Sequence, residues 1–103
     1  MQKKIGINGF GRIGRLALRA GWSRDGLSFQ RANETATDAV GCAHLLEFDS
    51  VHGRWRLACQ VENDRLVIDG QRIFRSSLAT IGDGDWSGCD VVIEATGRHH
   101  KTI

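Results

Sequence analysis

The stretch Gly9-Phe10-Gly11-Arg12-Ile13-Gly14 decides the fold. It follows a short apolar run, Lys4-Ile5-Gly6-Ile7, that ends in Asn8-Gly9 and suits a buried strand entering a turn. From Arg12 the period changes. Ile13, Leu16, Ala17 and Ala20 recur at helical spacing, with Arg12, Arg15 and Arg19 on the other faces. These arginines read as a solvated helix face, and Gly21 as the C-terminal stop. A GxGxxG string alone is weak evidence, because loops collect glycine. Here it leaves a strand, opens a helix, and is followed by an acid, Glu34, at the distance of about 20 residues that the dinucleotide fingerprint requires.

Each position then has a physical task. Gly9 lets the chain turn tightly out of the strand, Gly11 lets backbone approach a pyrophosphate, and Gly14 lets the helix sit close to the sheet. The helix N-terminus offers the N–H groups of Arg12 and Ile13 and a partial positive charge to phosphate. Glu34, at the end of a second strand, accepts the two hydroxyls of an adenosine ribose. A 2′-phosphate there would meet a negative charge, so NAD is the expected cofactor rather than NADP.

Working outward, residues 27–32 alternate apolar and polar as a second strand. Thr37 or Asp38 caps a helix running to about Phe48, around Val40, Ala43, Leu46 and Glu47. The turn pairs Asn63-Asp64 and Asp69-Gly70 separate strands over 55–61, 66–68 and 71–74, a small antiparallel meander. Residues 82–90 read as a loop, and 91–96 as a strand closed by Gly97. The expected fold class is α/β, a partial Rossmann-type parallel sheet with helices and a small antiparallel meander. Residues 1–103 form one incomplete unit of this kind, since a parallel sheet that stops after Gly97 is unfinished.

Composition narrows the function classes. The 13 glycines without a single proline cluster at the turn, which argues against a flexible linker. A net charge of +2, with basic residues scattered, gives nucleic-acid binding no electrostatic footing. Glycines and Asn8 interrupt the apolar start, so it is neither a signal sequence nor a membrane span. Cys42, Cys59 and Cys89 lack CxxC spacing and read as reduced thiols of a cytoplasmic protein. The adjacent His99-His100 diverge and lack a third ligand, so no metal site is expected. His44 reads as a half-buried helix residue and His52 as a loop residue. Trp22, Trp55 and Trp86 read as packing anchors.

Five stretches resemble one family. Ile5-Gly-Ile-Asn-Gly-Phe-Gly-Arg-Ile-Gly-Arg15 is similar to the INGFGRIGR opening of glyceraldehyde-3-phosphate dehydrogenases. Asn33-Glu34 stands where that family usually has Asn-Asp. The stretch from His44 to Arg54 resembles its YDSTHG segment, Leu66-Val-Ile-Asp-Gly70 its LVINGK hairpin, and Glu94-Ala-Thr-Gly97 its ESTG strand end. Within the family, Asn33-Glu34 is similar to erythrose-4-phosphate dehydrogenases. Glu47-Phe-Asp-Ser-Val-His-Gly-Arg-Trp55 resembles the variant associated with arsenic-resistance operons.

The resemblance implies cofactor roles residue by residue. Asn8, Gly9, Phe10, Gly11, Arg12 and Ile13 would line the pyrophosphate, and Asn33 and Glu34 the adenosine ribose. Ala95, Thr96 and Gly97 would pass under the cofactor with their backbone. His99 would stand in for the family's adenine-side aromatic, and Arg75-Ser76 for its Glu-Arg pair. The family's nucleophilic cysteine lies in an SCTTN motif that this sequence does not contain, and none of the three cysteines has that context, so no residue is assigned a catalytic role. Three readings follow: an NAD-binding module inactive alone, one piece of a phosphorylating or arsenylating aldehyde dehydrogenase that works with a partner carrying the catalytic domain, or a remnant that does not fold by itself. The apolar run Val91-Val92-Ile93 further predicts an exposed sheet edge that drives self-association.

Overall fold

The computed structural model describes residues 2–49, 52–77, 86 and 88–96. The chain runs β1 (Lys3–Asn8), α1 (Arg12–Gly21), β2 (Leu27–Asn33), α2 (Ala39–Glu47), β3 (Phe48–Asp49), β4 (Gly53–Arg54), β5 (Cys59–Glu62), β6 (Arg65–Ile68), β7 (Gln71–Ser76) and β8 (Val91–Glu94). Six strands form one sheet in the order β5-β6-β7-β2-β1-β8. The central pairs β1·β2, β1·β8 and β2·β7 are parallel, and β5·β6 and β6·β7 are antiparallel. This is the α/β, partial Rossmann-type sheet expected from the glycine turn.

The meander is not a separate layer. Its last strand runs on to Ser76 and pairs in parallel with β2 through Arg31↔Phe74, Ala32↔Arg75 and Asn33↔Ser76. The hairpin therefore extends the parallel sheet at one edge, and β8 ends it at the other. Its first strand begins at Cys59 rather than at Trp55. The segment before it is held elsewhere: Trp55 N–H donates to the Glu47 carbonyl at 2.7 Å. A second departure is the two-residue ladder β3·β4, which closes the Asp49–Gly53 corner.

Ile5, Ile7, Phe29, Ala32, Leu66, Ile68 and Ile73 of the sheet, with Leu18, Cys42 and Leu46 of the helices, form the buried core. The helix α1 touches it by a different stripe from the one its apolar residues suggest. Gly14, Leu18 and Gly21 are buried, whereas Ile13 is 72% exposed. A Cβ at Gly14 would lie 2.3 Å from the Gly9 carbonyl oxygen, and one at Gly21 would lie 2.8 Å from the Phe29 ring. The side-chain-free positions set the closest approach, and Leu18 fills the space between them. Gly21 is the last residue of α1, as expected, and is also a packing position against Phe29. Trp22 follows it with right-handed dihedrals, and the chain reverses at Gly26, whose φ is +88°.

The other helix starts as expected. Asp38 is its N-cap, and its carboxylate accepts the Gly41 N–H at 2.9 Å. Arg15 and Arg19 are not simply solvated. Arg15 donates to the Phe10 carbonyl at 3.1 Å, and Arg19 donates to the Gly53 carbonyl at 3.0 Å while lying over the Trp55 ring. Trp22 packs on Phe29 and Trp55 as an anchor. His44 is exposed rather than half-buried, with its ring 5.1 Å from that of Phe48.

Candidate dinucleotide-binding site

The order β2-β1-β8 creates a switch point. The connection from β1 leaves through α1 toward β2, while β8 lies on the opposite side of β1. In open parallel sheets, ligands bind at the carboxyl ends of the strands where the order reverses in this way. The glycine turn sits there. Gly9 has φ +94°, a left-handed conformation that disfavours a side chain. A Cβ at that position would also lie 2.5 Å from the Thr96 backbone nitrogen. The turn and the end of β8 are therefore in direct backbone contact.

At Gly11 the opposite holds: a Cβ would meet nothing within 4 Å. That position faces open space beside the first turn of α1. The helix has Gly11 as N-cap, with no side-chain cap bond and no acidic residue in its first turn. The positive end of the helix thus has no countercharge within its own first turn. Arg12 and Ile13 are exposed at this end. Phe10 differs from its neighbours, because its ring is buried in the core and only its backbone borders the cleft.

Glu34 stands at the end of β2. One carboxylate oxygen accepts the Phe10 N–H at 2.8 Å and the other accepts the Ala36 N–H at 2.8 Å. The two N–H groups fix the carboxylate against the glycine turn, and each oxygen retains acceptor capacity. Ala95 and Thr96 are half-buried beside the turn. Gly97 and His99 lie outside the described residues.

Behind the cleft, a run of side-chain hydrogen bonds crosses four parallel strands. The Ser76 hydroxyl donates to Asn33 Oδ1 at 2.8 Å, and Asn33 Nδ2 donates to Asn8 Oδ1 at 2.9 Å. Asn8 Nδ2 then donates to the Glu94 carboxylate at 2.8 Å. Asn8 and Asn33 are buried, with their side chains engaged in this run. Sequence reasoning missed Glu94. The available signal was that β1, β2, β7 and β8 all end in a residue with a polar side chain. Arg75 turns to the other side of β7 and donates to the Thr37 carbonyl at 2.8 Å, which ties down the loop before α2. A groove of about 280 Å³ near Trp22, Gly26 and Gln71 lies at the amino ends of the strands, away from the glycine turn.

Residues 3–102 match the family described as glyceraldehyde 3-phosphate dehydrogenase, NAD binding domain. The chain belongs to the glyceraldehyde 3-phosphate dehydrogenase family. It is 47% identical over 100 residues to glyceraldehyde-3-phosphate dehydrogenase 3 of Nostoc, a match covering 95% of this chain and 30% of that protein. It is 41% identical over 103 residues to the Geobacillus stearothermophilus glyceraldehyde-3-phosphate dehydrogenase, covering 98% of this chain and 30% of the relative. The Echinococcus multilocularis glyceraldehyde-3-phosphate dehydrogenase is 35% identical over 99 residues, again 30% of its length. The chain thus spans about 30% of the curated relatives it matches.

As a glyceraldehyde 3-phosphate dehydrogenase NAD-binding domain, the chain has NAD as its cofactor. The residues present fit that group: an open position at Gly11, a helix end free of acid in its first turn, and a fixed carboxylate at Glu34. Cys42 and Cys59 are poorly disposed to act as nucleophiles. Burial pushes the Cys42 thiol up, only partly offset by the Arg75 guanidinium. Burial and the nearby Glu47 carboxylate push Cys59 up to about 12. Both are neutral thiols at physiological pH. No described helix is long and apolar enough to cross a membrane.

Proposed function

We propose that the cleft between the glycine turn, Glu34 and the end of β8 holds the adenosine and pyrophosphate of NAD. In this reading Gly9, Gly11, Arg12 and Ile13 receive the pyrophosphate with the Phe10 backbone. Glu34 takes the ribose hydroxyls with support from Asn8, Asn33 and Ser76. Ala95 and Thr96 pass beneath the cofactor. The observation that carries the reading is the Glu34 carboxylate held by the Phe10 and Ala36 N–H groups at 2.8 Å each. A fixed negative charge there favours hydroxyls and repels a 2′-phosphate.

NAD when bound supplies a hydride acceptor, and the parent reaction is phosphorylating aldehyde oxidation. Residues 1–103 form an NAD-binding unit in which no residue takes a catalytic role. The neutral thiols of Cys42 and Cys59 support that reading. The second reading is one piece of a phosphorylating or arsenylating aldehyde dehydrogenase that works with a partner carrying the catalytic domain. The setting is cytoplasmic, and the chain self-associates through the 91–96 edge. Calorimetric titration with NAD, NADP and ADP-ribose tests the site. NAD binds more tightly than NADP, and Glu34→Ala weakens NAD binding by about 1–3 kcal/mol, the range for a lost charge-assisted hydrogen bond. NADP binding as tight as NAD would refute the proposal.

A further inference from the structure

The polar run behind the cleft has a direction, and one residue imposes it. Glu94 ends β8 beside Asn8 of β1, its register partner. Its carboxylate accepts from Asn8 Nδ2 at 2.8 Å, from the Thr96 N–H at 3.0 Å and from the Thr96 hydroxyl at 2.5 Å. An ionised carboxylate only accepts. The Asn8 amide must therefore turn its NH₂ toward β8 and its oxygen toward β2. That oxygen requires a donor, so Asn33 turns its NH₂ to it and its own oxygen toward β7. Ser76, whose hydroxyl either donates or accepts, is left to donate. With the carboxylate at one end, the two buried amides have one arrangement instead of two.

Each member of this run also holds a piece of the cleft through its main chain or its carboxylate. The Ser76 carbonyl accepts the Glu34 N–H at 2.9 Å, the Asn33 carbonyl accepts the Gly9 N–H at 2.9 Å, and the Asn8 carbonyl accepts the Ala95 N–H at 2.7 Å. Glu94 itself holds the Thr96 N–H. The parts that meet dinucleotide in the proposed reading are thus hung, one each, on the four residues of the run.

We propose that Glu94 is a positioning residue of the dinucleotide site, which orders the Asn8 and Asn33 amides and so sets the relative placement of Thr96, Ala95, Gly9 and Glu34. It acts through the two amides, and its effect reaches Ser76, two strands beyond its neighbour β1. This rests on the proposed NAD-binding role, but the amide order is measurable without ligand. Glutamine at position 94 carries one acceptor and one donor group where three donors converge, so it leaves a donor facing a donor.

The test uses the full ¹⁵N-labelled chain with Glu94→Gln, Ser76→Ala and the double variant, reading ADP-ribose affinity and the side-chain NH₂ resonances of Asn8 and Asn33. E94Q weakens ADP-ribose binding about tenfold, as for a broken charge-assisted bond in a network. The double variant falls short of the product of the single effects by about threefold or more, the mark of coupled residues. The Asn33 NH₂ resonances move in E94Q, although Glu94 bonds to Asn8. Independent effects on affinity, or Asn33 resonances unmoved in a folded E94Q, would overturn the proposal. Should E94Q unfold, Ser76→Ala decides alone: the proposal requires the Asn8 NH₂ resonances to move, and unmoved ones refute it. A wild-type chain that binds no ADP-ribose counts against the NAD-binding reading only, and the amide resonances still decide the order of the run.

Discussion

Glu47 shows how a single buried carboxylate organises a stretch with little regular structure. It is the last residue of α2, with one oxygen accepting the Cys59 N–H at 2.8 Å and the other the Arg54 Nε at 2.9 Å. Asp49, also buried, accepts from the His52 N–H and ring. The N–H of Cys59 and then the Arg54 guanidinium hold the Glu47 carboxyl below its usual range, against the opposing effect of burial. A lowered folded-state value means that the unfolded chain takes up a proton first. The contribution is therefore complete above the unfolded value of about 4.3 and is lost as pH falls through the lower folded value. Cys59 acts in the opposite direction. Its raised value, about 12, means stability present below the unfolded thiol's value of about 8.5 and lost as pH rises from there toward 12. Denaturant melts across pH check both limbs: Glu47→Gln flattens the acid fall, and Cys59→Ala flattens the alkaline one. An acid limb equally steep in Glu47→Gln would show that other carboxylates carry it.

At the scale of elements, α1 is the sharpest case. Its apolar residues Ile13, Leu16, Ala17 and Ala20 suggest one face, but the sheet contacts Gly14, Leu18 and Gly21. Leu18→Ala therefore costs about 2–5 kcal/mol, as deletion of a buried leucine does. Ile13→Ala, at a residue 72% exposed, stays within about 0.5 kcal/mol. Thermal or urea unfolding of the two variants side by side checks the pair. Equal costs would put the helix in the rotation its hydrophobic pattern suggests.

At the scale of the whole molecule, the two edges of the sheet differ. One edge is β5, at the end of the antiparallel hairpin, which lies far from β8 and does not cover it. At the other, β8 pairs with β1 from Ile5↔Val91 to Asn8↔Glu94, and no described strand pairs with its other side. Val91 is 47% exposed, and Val92 and Ile93 are half-buried. Exposed main-chain groups next to apolar side chains recruit another strand, and two-fold pairing is the simplest closed form. Light scattering over a concentration series is expected to show mass rising with concentration. A monomer throughout, with slow amide exchange along 91–94, would show that the edge is protected within one chain.

Local signals in the sequence determined the parts whose reasons are local. The strand-glycine-helix order, the Asp38 cap and the turns at Asn63-Asp64 and Asp69-Gly70 each depend on backbone geometry within a few residues, and Glu34 was legible from its spacing to the glycine turn. Their types were legible, and with them the α/β class and the dinucleotide reading. Only the tertiary structure decided which residues of α1 face the sheet, because close approach at Gly14 and Gly21 outweighs the attraction of an exposed isoleucine. It also decided that β7 joins β2 in parallel, because strand pairing is a contact between distant residues that no local pattern encodes. The run Ser76-Asn33-Asn8-Glu94 belongs to the same class. Each residue alone is an ordinary polar strand end, and they become one hydrogen-bonded unit because parallel pairing places all four strand ends side by side.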